Sequence, residues 1–195
     1  MKTDIILSGV GGQGILSIAT LIGQAAMTKA LYIKQAEVHG MSQRGGDVQS
    51  NLRISDSPIH SDLIAKGHAD VIISLEPMEA LRYVPYLTEK GWIITSSSPF
   101  VNIPNYPEQE LIAKELQNYP HVIALDIDKL AQENNLAKCA NVILLGAAAR
   151  ALHLLEYNEL EASIRTVFAS KGEDIIAMNL KALSIGYEMV DPEKA

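Results

Sequence analysis

One six-residue segment constrains this chain more than any other. Gly9-Val10-Gly11-Gly12-Gln13-Gly14 stands between a short apolar run, Ile5-Ile6-Leu7, and a stretch in which apolar residues return at helical spacing: Ile15, Ile18, Ala19, Ile22 and Ala26. A buried strand, a G-x-G-x-x-G turn and a helix in that order are the opening of a βαβ-type unit. The glycines permit a tight turn and close backbone approach, and the amides at the helix start favour an anion. Glu37 lies about 20 residues further on, where a ribose-binding acid would stand in a dinucleotide fold. The same loop can equally serve to pack helix on strand. Against the dinucleotide reading, the chain offers no second domain to receive a nicotinamide or flavin.

The pattern repeats. Leu31–Ala36, Val48–Ile54, Val71-Ile72-Ile73, Gly91–Thr95 and His121–Leu125 read as strands, with helices over Pro77–Leu87 and Glu108–Gln117. Ser55-Asp56-Ser57-Pro58 carries turn chemistry, and Ser96–Pro107, with three prolines, reads as a loop. From Ile127 onward only helices are predicted: a short one near Asp128, then Ala140–Leu155, Glu159–Ala169 and Asp174–Met189. Strands alternating with helices predict an α/β fold, doubly wound, with a mostly parallel sheet covered by helices on both faces. The chain reads as a single domain over 1–195, with a sheet part at 1–126 and a C-terminal helical layer or arm at 127–195.

Composition removes several function classes. A net charge of −7 disfavours nucleic acid and anionic membrane surfaces as partners. A single cysteine, Cys139, rules out an internal disulfide and cannot supply the four thiolates that an iron–sulfur cluster usually takes. It also suits a reducing, cytoplasmic setting. There is no signal-peptide pattern and no membrane-spanning apolar run.

The segment Glu37-Val38-His39-Gly40-Met41-Ser42-Gln43-Arg44-Gly45-Gly46 gathers an acid, an imidazole, an amide and a guanidinium. It reads as a loop. Arg44 could clamp a carboxylate or phosphate with both arms of its fork. Alternatively it pairs with Glu37 and only stiffens the loop. The cluster as a whole points to a ligand- or partner-facing surface, because function concentrates on loops set by a rigid scaffold. Other candidates read more plainly. His60, His68 and His121 stand alone, His153 reads as packed on a helix, and Cys139 as a small buried hydrophobe. His39 has no second ligand at metal spacing, so no metal is expected. Glu76 and Glu79 read as first-turn complements to a helix dipole rather than an acid/base pair.

Two segments in combination, Gly9–Gly14 and Glu37–Gly46, resemble the gamma subunit or domain of 2-oxoacid:ferredoxin oxidoreductases. The stretch from Ala69-Asp70-Val71 through Leu75-Glu76-Pro77-Met78-Glu79-Ala80-Leu81-Arg82 is similar to the indolepyruvate branch. Asn141-Val142-Ile143-Leu144-Leu145-Gly146-Ala147 resembles the family's later Asn and Leu-Gly helix. The resemblance implies a share in an enzyme that oxidatively decarboxylates a 2-oxoacid to an acyl-CoA and carbon dioxide while reducing ferredoxin. It implies that thiamine diphosphate, magnesium and iron–sulfur clusters reside on a large partner subunit. This chain has no Gly-Asp-Gly with a downstream Asn to hold them, and it would bind none of these cofactors alone. Ferredoxin and coenzyme A would be met through the complex. The residues expected to face ligand or partner are Gly9, Gly11, Gly12, Gln13, Gly14, Glu37, His39, Met41, Gln43, Arg44, Gly45 and Gly46. They would complete the active site or coenzyme A channel, or hold the partner in its active form. A stand-alone NAD or FAD protein, or a gamma subunit for pyruvate or 2-oxoglutarate, are the alternatives. Ile175, Ile176, Met178 and Leu183 offer either an apolar docking surface or internal core.

Overall fold

The computed structural model describes residues 1–39 and 45–191. Six strands form one sheet: β1 (Lys2–Val10), β2 (Tyr32–His39), β3 (Asp47–Ser55), β4 (Ala69–Ser74), β5 (Leu87–Ser96) and β6 (Val122–Leu125). Their order is β2-β3-β1-β4-β5-β6. β1 is antiparallel to β3, as is β2, whereas β1–β4, β4–β5 and β5–β6 are parallel pairs. Only β3 therefore runs against the rest, and the expected α/β architecture with a mostly parallel sheet stands.

Alternation along the central strands divides the core. Ile5, Leu7, Val71, Ile73 and Ile94 face α1 (Ile15–Thr28) and the late helices; Ile6, Ile72 and Ile93 face α2 (Pro77–Arg82) and α3 (Gln109–Leu116). All eight are completely buried. That explains the unbroken apolar runs: with both faces covered, no position needs a polar residue. After β6 come only helices: α4 (Ile127–Glu133), α5 (Ala140–Ala148), α6 (Tyr157–Val167) and α7 (Glu173–Glu188). Ile176 and Leu183 are core residues of this layer, whereas Ile175 is exposed.

α5 and α7 cross at two glycines. A Cβ on Gly146 would lie 2.1 Å from the Leu183 carbonyl oxygen, and one on Gly186 would lie 1.8 Å from that of Ile143. Backbone meets backbone here, which no larger residue permits.

Several boundaries differ from the sequence reading, each for a local reason. The segment from Glu37 to Asp47 is not a loop throughout. β2 runs to His39 and β3 starts at Asp47, with Glu37 opposite Ser50. β2 is an edge strand, so its polar residues stay in water and need no apolar pattern. The helix expected over Pro77–Leu87 ends at Arg82, and a 3₁₀ turn, Val84–Tyr86, follows around Pro85, which has no amide to continue the ladder. α5 stops at Ala148. A 3₁₀ turn, Ala149–Leu152, leads to His153, exposed and at φ 42°, not packed on a helix.

At the amino end of β1, Asp4 is buried and accepts from Arg53 through Nε at 2.7 Å and Nη2 at 3.0 Å, and from Lys2 at 2.5 Å. Burial alone would raise its pKa, but the bonds from Arg53 and Lys2 outweigh it and hold the carboxyl below its ordinary 3.8. A depressed folded pKa contributes stability that is present above the unfolded value and lost as pH falls through the folded one. Asp4→Asn should therefore lower the melting temperature by a constant amount from neutral pH down to about 5, and that deficit should shrink below pH ~4. Melting curves across pH test this; a deficit independent of pH would contradict it.

Candidate functional site

The glycine loop leaves β1 at the point where the chain's neighbours part: β3 lies to one side and β4 to the other. In sheets of this kind the carboxyl ends of strands at such a switch point open onto a crevice. One of about 420 Å³ lies here, lined by Gly12, Gly14, Ser17, Ser96, Lys138 and Asn141, among others.

The loop's conformation is glycine-dependent at Gly12 (φ 105°) and Gly14 (φ 83°). Gly11 is not among the positive-φ residues, so backbone strain belongs to its neighbours instead. Holding an L-residue in the left-handed region costs roughly 1–2 kcal/mol. At Gly14 a Cβ would also meet Asn141 Nδ2 at 2.9 Å. Gly14 is the N-cap of α1 and provides no side-chain oxygen to its first-turn amides.

Gln13 lines the crevice, and its side-chain amide is bonded on both sides to backbone. Its Oε1 accepts from Val10 N at 2.7 Å and its Nε2 donates to Leu75 O at 3.2 Å. It rivets the loop to the end of β4 and packs over Gly9, where a Cβ would come 2.9 Å from Oε1. Removing this side chain would therefore free two backbone groups and loosen the loop. Asn141, at the start of α5, donates to Gly14 O at 3.1 Å. The later Asn motif therefore ends on the glycine loop.

The structure also joins the glycine loop to the other expected segment. Gly11 N donates to Gly46 O at 2.8 Å, and Asn102 Nδ2 donates to Gly45 O at 2.7 Å. Gly45 and Gly46 are thus tied to the glycine loop, of which Gly12, Gln13 and Gly14 line the crevice. Glu37 is exposed on β2, with Gln35 Nε2 donating to it at 2.8 Å. His39 ends that strand, but its side chain lies outside the described residues, as do Gly40, Met41, Ser42, Gln43 and Arg44 entirely.

Sequence reasoning missed a second feature. Glu76 and Glu79 do occupy the N-cap and first turn of α2, but both are buried. The Glu76 carboxylate accepts from Glu79 N at 2.8 Å, from Phe100 N at 3.4 Å and from the Tyr106 hydroxyl. Burial, and then this bond to Glu76, push the Tyr106 hydroxyl well above its usual range. Glu79 takes both arms of Arg82, at 2.7 and 3.0 Å. Glu76 therefore fastens the 97–107 loop whose Asn102 holds Gly45. Lys138, exposed at the crevice mouth, was missed too; no motif marked it. A cation beside helix-start amides suits an anionic group.

Other candidates fall elsewhere. His60 and His68 are exposed, and His121 stacks on Trp92 with ring centroids 4.7 Å apart. Cys139 is buried, and that burial pushes its thiol upward. The described residues contain no group of three His, Cys, Asp or Glu side chains able to hold a metal ion. Those residues do not fit a cluster or a magnesium–diphosphate group. No helix among the described residues is long and apolar enough to cross a membrane.

The family model for pyruvate ferredoxin/flavodoxin oxidoreductase matches residues 4–189. Indolepyruvate oxidoreductase subunit IorB of Archaeoglobus fulgidus is 36% identical over 195 residues, covering 96% of this chain and 94% of that protein. The subunit of the same name from Methanothermobacter thermautotrophicus is 33% identical, covering 96% and 97%. Pyruvate oxidoreductase subunit PORC of Thermotoga maritima has the same fold, with a TM-score of 0.74 at 21% identity over 97% of both chains. The fold recurs in a 2-oxoglutarate:ferredoxin oxidoreductase from Magnetococcus marinus (TM-score 0.74, 20% identity), where all of this chain matches 32% of a longer one. These matches give no support to a stand-alone NAD or FAD protein. The match over 4–189 and the relatives at 33–36% identity place this chain in the pyruvate ferredoxin/flavodoxin oxidoreductase family, as the small subunit of a 2-oxoacid:ferredoxin oxidoreductase.

Proposed function

We propose that this chain is the small subunit of an indolepyruvate-type enzyme and acts, as one gamma-type domain over its whole length, in the cytoplasm. The reaction assisted converts an aryl 2-oxoacid and coenzyme A to an acyl-CoA and carbon dioxide, with two electrons passing to two ferredoxins. A large partner subunit holds thiamine diphosphate, magnesium and iron–sulfur clusters, which supply carbanion stabilisation and electron transfer. The aryl substrate is favoured because relatives named for indolepyruvate reach 33–36% identity, whereas those named for 2-oxoglutarate or pyruvate/ketoisovalerate stand at 25–28%.

The observation that carries the site assignment is the Gly11–Gly46 hydrogen bond. It ties Gly46 to the glycine loop, so the two stretches singled out in the sequence meet at their described ends. In this reading Arg44 faces the partner's active-site cleft and receives a carboxylate of the 2-oxoacid or a phosphate of coenzyme A. A charge-assisted contact is worth about 1.5–3 kcal/mol, so Arg44→Ala should lower turnover of the assembled enzyme roughly tenfold or more. Arg44→Lys keeps the charge without the fork and should recover part of the loss. Steady-state kinetics beside melting curves decide. A variant that melts lower with unchanged kinetic constants would make the segment a strut.

A further inference from the structure

We propose that the 97–107 loop is the face by which this chain docks on its large partner subunit; the occupant rests on the functional reading above. Residues 91–107 contain no charged side chain, in a chain that is 20% charged. Within four residues of this stretch three large apolar side chains stand out in water: Phe100 at 44% exposure, Val101 at 67% and Ile103 at 37%. Several exposed apolar groups elsewhere have a charged residue directly before them. Ile175 follows Glu173 and Asp174, Met189 follows Glu188, and Leu111 follows Glu110. Depletion of charge with an aromatic at the centre is the compositional mark of an interface core.

The loop is ordered without being buried. Glu76 accepts from Phe100 N and Tyr106, Asn102 donates to Gly45 O, Ser98 Oγ donates to Asp126 at 2.7 Å, and Gln109 donates to Ser97 O at 3.1 Å. Pro99, Pro104 and Pro107 restrict it further. The apolar side chains are thereby presented in a fixed arrangement, and little ordering entropy remains to oppose docking. The late helices that composition suggested for this role keep Ile176 and Leu183 inside the core. Two observations favour the large subunit over a second copy of this chain. The Asn102–Gly45 bond joins the loop to Gly45-Gly46, which are tied in turn to the glycine loop. In the Magnetococcus marinus enzyme the same fold is about a third of a longer chain, so there it is covalently joined to further polypeptide.

The test is co-expression of the full chain with the tagged large subunit, using Val101→Asp, Phe100→Ser and, as a control, Ile175→Ser. The two loop variants should weaken the complex roughly a hundredfold by titration, with isolated-chain melting temperatures unchanged, and the control should bind as wild type. Because loop variants could disturb folding, p-benzoylphenylalanine at position 101 gives a second measurement. A crosslink to the large subunit is expected. Wild-type-like affinity of both loop variants, or crosslinks only to a second copy or to nothing, would overturn the docking face while leaving the functional reading intact. Failure of the wild-type chains to associate at all would remove that reading, and this occupant with it.

Discussion

Gly186→Ala should lower the melting temperature of the isolated chain by roughly 10 °C, although helix propensity alone argues the opposite. In an exposed helix interior the change would gain about 1 kcal/mol. Here the added Cβ would stand 1.8 Å from Ile143 O and 2.8 Å from its carbonyl carbon. Neither is a side-chain end that can rotate away. Relief requires α5 and α7 to separate, and Gly146, held 2.1 Å from Leu183 O by the same measure, separates with them. Leu183, Ala182, Ile143 and Leu144, all completely buried, would lose packing. Overpacking costs about 1–3 kcal/mol and occasionally more. Backbone-on-backbone contact puts this site at the upper end, and each kcal/mol moves the midpoint by roughly 2–4 °C in a chain of this size. Thermal or urea unfolding measures it. A stabilised Gly186→Ala variant would mean that the crossing is looser than described.

The second large effect falls on Glu76. Glu76→Ala removes the N-cap of α2, worth about 1 kcal/mol, and leaves the Tyr106 hydroxyl and the amides of Glu79 and Phe100 without their acceptor. Buried groups left unmatched cost about 1–3 kcal/mol each, so a total near 3–5 kcal/mol is expected. The midpoint should fall by about 10 °C or more. The 97–107 loop should also become the first site of proteolytic cutting, because its tether to α2 is gone. Glu76→Gln keeps an acceptor oxygen and should lie between the two. Limited proteolysis followed by mass spectrometry locates the cut; an unchanged cleavage pattern would show that Glu76 does not hold the loop.

Both effects bear on how far the sequence discloses the molecule. The six-residue glycine segment was legible because its chemistry is local: a turn needing positive φ after an apolar run and before a helix. Which glycines bear the strain was not. Gly12 and Gly14 adopt positive φ while Gly11 does not, and nothing in the residue order separates them. The double-faced sheet was legible from runs such as Val71-Ile72-Ile73. β2 was read short because an edge strand has no pattern to keep, and its partner β3 took Glu37 into the ladder. Glu76 and Glu79 were placed correctly in the first turn of α2, but their burial was not legible. Their burial depends on Phe100, Tyr106 and Arg82, and the first two arrive from another part of the chain. The tie from Asn141 to Gly14 spans 127 residues, and only the resemblance to known subunits marked that Asn.

In the function proposed above, the chain is one part of an enzyme and acts only with a large cofactor-bearing subunit. Reconstitution tests it most directly: the purified chain alone, and the co-expressed complex, each assayed for coenzyme A-dependent reduction of ferredoxin by indolepyruvate, with iron measured in both. No turnover and no stoichiometric iron are expected in the isolated chain, and both are expected in the complex. Turnover or near-stoichiometric iron in the isolated chain, or separate elution of the co-expressed chains at micromolar concentration, would contradict it.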